Sequence, residues 1–179
     1  MGGVTHINLD VVGHEVLSGK FSICEETRKK ITREFGTCER KKLGEIVFGN
    51  PSQMSKLNEI MREPMLTILR GKLAETSGTV LLEGALLIEM DWLFLCNNRV
   101  ILTKTPSPEE HMRRLRGREY TDEEIARRLS SQYTFEEKKR RLEKKIRDDK
   151  VGACHVFDSE ASDSVEKARQ FIFGESNET

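Results

Sequence analysis

No apolar run in this sequence approaches the roughly 20 residues that a helix needs to cross a bilayer. Net charge is lacking too, since 30 Lys and Arg balance 30 Asp and Glu. Without a global basic field, neither nucleic acid nor an anionic membrane surface is an expected partner. Four cysteines, Cys24, Cys38, Cys96 and Cys154, form no C-x-x-C pair, and His6, His14, His111 and His155 are not spaced to help them. A structural zinc cage needs closely spaced ligands, so no metal ligands are assigned and the thiols read as buried or incidental in a reducing compartment. Met1 to Asp10 lacks the basic start and apolar core of a secretion signal. The expected location is the cytosol.

What is present fits one compact, helix-rich domain: 179 residues, 36% apolar and 34% charged. Val4 to Asn8 (VTHIN) is β-branched and partly alternating, which predicts a short strand ending at Asp10. Residues 25–78 turn helical. EETRKKITREFG stops at Gly36, ERKKLGEIVFG stops at Gly49, and Asn50 then caps a third helix opened by Pro51. Pro64 should kink or divide that helix, because proline removes a backbone donor and clashes with the preceding turn. TVLLEGALL, between Gly78 and Gly84, reads as a strand buried on both faces of a parallel sheet, and RVILT (Arg99 to Thr103) as another. Ser107-Pro108-Glu109-Glu110 and Thr121-Asp122-Glu123-Glu124 are helix starts of the capping-box type. CHVFD (Cys154 to Asp158) reads as a last strand, followed by a closing helix. Strands alternating with helices predict an α/β fold with a parallel sheet. No internal repeat and no low-complexity linker is apparent.

Four segments, in order, carry a resemblance: INLDVVGHEVL (Ile7 to Leu17), ERKKLGEIVFGNP (Glu39 to Pro51), LLEGALLIE (Leu81 to Glu89), and RLRGRE with SSQYTFEEKKRR (Arg114 to Arg141). In these the chain resembles the dephospho-coenzyme A kinase family. The resemblance implies a P-loop kinase-like core over residues 1–179. It also implies an inserted helical subdomain at 25–78 for the coenzyme A substrate and an arginine-rich lid at 107–147. The reaction implied is transfer of the γ-phosphoryl of ATP, with Mg²⁺, to the 3′-hydroxyl of dephospho-coenzyme A. Alternatives are a truncated or degenerate relative that binds coenzyme A or a partner without catalysis, or another small-molecule or nucleotide kinase.

Asp10 follows a strand and reads equally, on spacing alone, as a catalytic base or as a solvated or helix-capping acid. The resemblance implies the base. It likewise implies substrate contacts for His14, Arg40, Leu86 and Glu89. His14 would share a helix face with Asp10, and Glu89 would stand at a strand's carboxyl end, where α/β ligand sites lie. Arg114, Arg118 and Arg141 would meet the ATP phosphates, with Arg118 also catalytic. Most other charges of the lid read as a solvated, ion-paired helix surface.

The phosphate loop G-x-x-x-x-G-K-[ST] does not occur among these residues. The nearest stretch, GHEVLSGKFS (Gly13 to Ser22), has the wrong glycine spacing and places Phe21 where a hydroxyl is required, so it reads as a helix ending at Gly19. In the resembling family the loop precedes INLD by one strand-loop-helix unit. The expectation is therefore a chain cut at its amino end, with a missing segment or a partner chain completing the sheet. Little activity is expected of it alone.

Overall fold

The computed structural model describes residues 3–104, 107–117, 121–130, 132–158 and 161–174. The chain forms two compact units, Met1–Leu86 and Leu87–Thr179. Each contains one pair of parallel strands whose members are joined through helices, as parallel pairing requires a long crossover.

In the first unit, β1 (Val4–Asn8) pairs in parallel with β2 (Thr79–Glu83), from Val4 opposite Thr79 to Asn8 opposite Glu83. Between them run α1 (Leu9–Ser18), α2 (Cys24–Phe35), α3 (Arg40–Val47) and α4 (Pro51–Ala74). The strand ends two residues earlier than the sequence predicts. Asn8 is already the cap of α1, its side chain accepting the backbone N–H of Asp10 at 2.8 Å and of Val11 at 3.3 Å. Leu9, Val12, Glu15 and Val16 form the buried stripe of α1, at the spacing of one helix face. Ile31, Leu43, Met61, Met65, Leu66 and Leu69 are among the other core residues of this unit.

Gly19 ends α1 in the left-handed conformation, φ 75°, and its N–H closes onto Glu15 and Val16. The stretch from Gly13 is thus a capped helix end, as expected, and Lys20 is ion-paired with Glu15. Gly36 ends α2 at φ 74°, while α3 stops at Val47, two residues before Gly49. Asn50 caps α4 through the N–H of Gln53, with Pro51 in its first turn. Pro64 does not divide α4, which continues through all 24 residues with Pro64 buried beside Met61, Met65 and Leu66. Apolar packing on both sides of the proline outweighs the single hydrogen bond it removes.

β2 departs from expectation. It spans five residues, ends at Glu83, and exposes Leu81 and Glu83 rather than burying both faces. The cause lies across the ladder: β1 leaves the sheet at Asn8 to enter α1, so β2 has no partner past Glu83. Gly84 follows at a close approach, where an added Cβ would lie 2.5 Å from Leu9 Cδ1.

In the second unit, β3 (Arg99–Lys104) pairs in parallel with β4 (Ala153–Asp158). The connection carries α5 (Pro108–Arg116), α6 (Asp122–Ser130) and α7 (Phe135–Asp149), and α8 (Ser164–Phe173) closes the chain against β4. Trp92, Leu93, Leu102, Ile125 and Leu142 are its buried apolar residues. Asn98, also buried, donates to Asp149 at 2.9 Å and joins the start of β3 to the end of α7. The parallel α/β fold is as predicted, laid out as two two-stranded sheets.

Glu15 is the charged member of the α1 stripe. It is held by Lys20 and by Lys72 of α4, the latter at 3.2 Å, and the hydrogen bond from Lys20 keeps its carboxyl below the ordinary 4.5 against the opposing effect of burial. A carboxyl depressed in the folded state adds stability that is complete above about pH 4.5 and is lost as pH falls toward its folded pKa. Replacing Glu15 with Gln should therefore flatten the acid limb of the stability curve below that pH. Urea midpoints across pH 3 to 7 would check it, and an acid limb as steep as that of the unsubstituted chain would refute it.

Candidate functional site

At the carboxyl ends of β1 and β2 the first unit gathers His6, Asn8, Asp10 and Glu83. One carboxylate oxygen of Glu83 accepts from the Asn8 side-chain amide at 2.9 Å and lies 2.8 Å from His6 Nε2. Asp10 is the second residue of α1 and is exposed, in a helix first turn whose free amides favour a negative charge. His14 lies one turn further along α1 and is exposed as well, so the expected shared helix carries both. Arg40 opens α3 and is exposed. Leu86 is half-buried in the turns that follow Gly84.

Glu89 is not at a strand end. β2 stops six residues earlier, and Glu89 sits in the turns that lead to Trp92. Its carboxylate accepts the backbone N–H of Tyr133 at 3.0 Å and pairs with Lys138 at 3.3 Å, with the two side chains only 11% and 15% exposed. Glu89 thus anchors the start of α7. Arg141, on that helix, lies with its guanidinium carbon 4.2 Å from the Tyr133 ring centre, so Glu89 and Arg141 are brought together through Tyr133.

Each of helices α5 and α7 carries a carboxylate that grips two arginines. Glu110 accepts from Arg113 at 2.7 and 2.8 Å and from Arg114 at 2.7 Å, and these bonds hold its carboxyl down to about 2. Glu137 accepts from Arg140 at 2.8 Å through both oxygens and also from Arg141, and is likewise held at about 2. Glu110 therefore does not reach back to its cap, although Ser107 does accept the Glu110 N–H at 3.1 Å. The full capping box forms only at α6, where Glu124 accepts from the Thr121 N–H at 2.9 Å and Thr121 Oγ1 accepts from Glu124 N–H at 3.2 Å. α5 ends at Arg116, and Arg118, expected one turn beyond Arg114, lies outside the described residues.

A repeat went unnoticed in the sequence. The pattern [ST]-x-x-E-x-x-R-R begins at Ser107, Thr121 and Thr134, the three caps of α5, α6 and α7. Each copy sets two arginines two turns past a helix start. Asn8 and Glu83 were missed as well, although an Asn two residues before the candidate base was a visible cap signal. Among the described residues no group of three or more His, Cys, Asp and Glu could hold a metal ion. No described helix is long and apolar enough to cross a membrane.

The model of the dephospho-CoA kinase family matches residues 2–152. The chain belongs to that family. It is 32% identical over 124 residues to the dephospho-CoA kinase of Dehalococcoides mccartyi, a match covering 65% of this chain and 61% of that protein. To the dephospho-CoA kinase of Leptospira interrogans it is 36% identical over 98 residues, covering 53% and 46%. To that of Latilactobacillus sakei it is 26% identical over 136 residues, covering 72% and 67%. The matches to the first two relatives thus span about three fifths and less than half of those proteins. The crystal structure of TT1252 from Thermus thermophilus superposes with a TM-score of 0.67 at 24% identity, over 93% of this chain and 83% of that one. That likeness places the chain in the same parallel α/β fold.

Glu89→Ala would leave the exposed Tyr133 amide and the Lys138 ammonium, whose side chain is largely buried, without this acceptor. Unfolding free energy should fall by about 1 to 3 kcal/mol, with faster amide exchange at Tyr133 than in the unsubstituted chain. Unchanged exchange at Tyr133 would mean that Glu89 does not anchor α7.

Proposed function

We propose that this chain carries out the reaction of its family, moving the γ-phosphoryl of ATP to the 3′-hydroxyl of dephospho-coenzyme A. A new P–O bond forms at the ribose oxygen, the bond from the γ-phosphorus to the β,γ-bridging oxygen breaks, ADP leaves, and the hydroxyl proton passes to a base. Asp10 is that base. The observation that carries this is its exposed carboxylate directly beyond a parallel strand, on the first turn of a helix, within the segment matched by the family model. Ligands of α/β folds lie at such strand ends.

His14, one turn from Asp10, and Arg40 at the start of α3 serve the substrate, the arginine as a planar donor fork for its phosphates. Leu86 lies in the turns after β2 and supplies apolar contact. Glu89 supports the reaction by holding the start of α7, the helix that carries Arg141. Arg114, Arg118 and Arg141 neutralise the phosphates, and their charge counts most where water is excluded. Mg²⁺ arrives with ATP as part of that substrate. The reaction fits a cytosolic setting, where ATP is supplied and the four thiols stay reduced.

A phosphate loop normally provides most contacts to ATP, and these 179 residues contain none. Slow turnover by the chain alone is therefore expected, and faster turnover once a segment bearing G-x-x-x-x-G-K-[ST] from a relative is joined ahead of β1. The test measures dephospho-coenzyme A binding by calorimetry and product by mass spectrometry for both proteins. Coenzyme A formed by either, at a rate that falls about 10²- to 10⁴-fold in Asp10→Asn, supports the assignment. Absence of binding and of product in both would overturn it, and phosphorylation of a different acceptor would redirect it to another small-molecule kinase.

A further inference from the structure

The strand ends hold a second layer behind Asp10. We propose that Glu83 is a positioning residue for Asp10, acting through the side-chain amide of Asn8. The inference rests on the assignment of Asp10 as the base, and its geometry lies wholly within the first unit.

An asparagine amide has a donor end and an acceptor end of nearly the same shape, so what surrounds it decides which way it faces. Asn8 has two demands on it. On one side the N–H groups of Asp10 and Val11, at 2.8 and 3.3 Å, require an oxygen. On the other, the ionised carboxylate of Glu83 only accepts, and so requires the NH₂, at 2.9 Å. The two demands agree, and the side chain has one orientation that meets both. The register makes this possible, because Asn8 and Glu83 are the last paired residues of the β1–β2 ladder. Gly84 and Leu9, in close contact, hold the two chain exits together just beyond.

The same Glu83 oxygen lies 2.8 Å from His6 Nε2, so the carboxylate is itself held from the strand side. Glu83 is 62% exposed, as suits a residue at a strand end that faces a ligand. Without it, the NH₂ end of Asn8 loses its acceptor and only the Asp10 and Val11 amides hold the side chain, so the cap is less firmly set and the carboxylate of Asp10 rides on a looser first turn. Charge-assisted hydrogen bonds are the stronger kind, and a misplaced base lowers rate more than affinity.

The experiment is a double-mutant cycle on E83A and N8A, with E83Q as the conservative variant, since Gln keeps an acceptor for Asn8. Amide exchange is followed by NMR at Asp10 and Val11, with the Leu69 amide of α4 as a monitor of global opening, and kcat and KM for dephospho-coenzyme A are measured in the protein that turns over. E83A should speed exchange at Asp10 and Val11 about 5- to 30-fold while Leu69 is unchanged. It should lower kcat with little change in KM, E83Q should retain most of both, and E83A should add nothing in the N8A background. Additive effects of the two substitutions, or unaltered exchange at Asp10 in E83A, would overturn the proposal. If the unsubstituted protein forms no coenzyme A, the assignment of function fails, yet the exchange cycle still decides whether Glu83 positions the Asp10 turn.

Discussion

The first unit depends on one registered pair, Asn8 opposite Glu83, at the place where a parallel ladder ends and a helix begins. Parallel strands present their carboxyl ends side by side, so the exits of β1 and β2 lie together even though four helices and their connections separate the strands in sequence. Everything that bears on Asp10 follows. The cap at Asn8 starts α1 within the register, the stripe of Leu9, Val12, Glu15 and Val16 then falls on the core, and Asp10 is left on the exposed side. Had the strand run on to Asp10, as its β-branched start suggests, the acid would belong to a ladder rather than to a helix turn.

Local signals were legible in the sequence wherever a side chain acts on its own neighbours. Asn50 with Pro51, Ser107 with Pro108, Thr121, and the glycines at 19 and 36 mark helix ends by chemistry confined to three or four residues. The features that were misread are settled across the chain. The length of β2 is set by where β1 leaves it. The place of Glu89 is set by Tyr133 and Lys138, more than 40 residues away. Pro64 is tolerated because its neighbours on α4 are buried on both sides of it. A periodicity scan sees none of these partners. It did find Asp10 and His14 on one helix, because a spacing of four is itself local.

Glu89 illustrates how a family position acquires a different physical meaning once its partners are known. As a lone acid after an apolar run it looked like a ligand-facing group at a strand end. In place it accepts one backbone N–H, from the exposed Tyr133, and faces the largely shielded ammonium of Lys138. Such a carboxylate is committed to holding structure, since removing either partner would leave a buried charge poorly satisfied. Its reach extends to α7, because Tyr133, just ahead of that helix, lies under the Arg141 guanidinium.

Helices α5 and α7 settle how an arginine-rich surface avoids repelling itself. Arg113 with Arg114, and Arg140 with Arg141, are adjacent like charges, and each pair shares a single carboxylate three and four residues back. That spacing is the favourable acid-first order on a helix, with the acid near the amino end and the bases further along. The arrangement suits exchange. Exposed ion pairs contribute only about 0 to 1 kcal/mol, so a ligand bearing several phosphate charges would draw an arginine away at little cost. A buried partner in place of Glu110 or Glu137 would hold it fast. The repeat that begins at Ser107, Thr121 and Thr134 therefore links helix initiation to charge placement: the residue that sets each helix start also fixes where, about two turns on, the arginines fall along the helix.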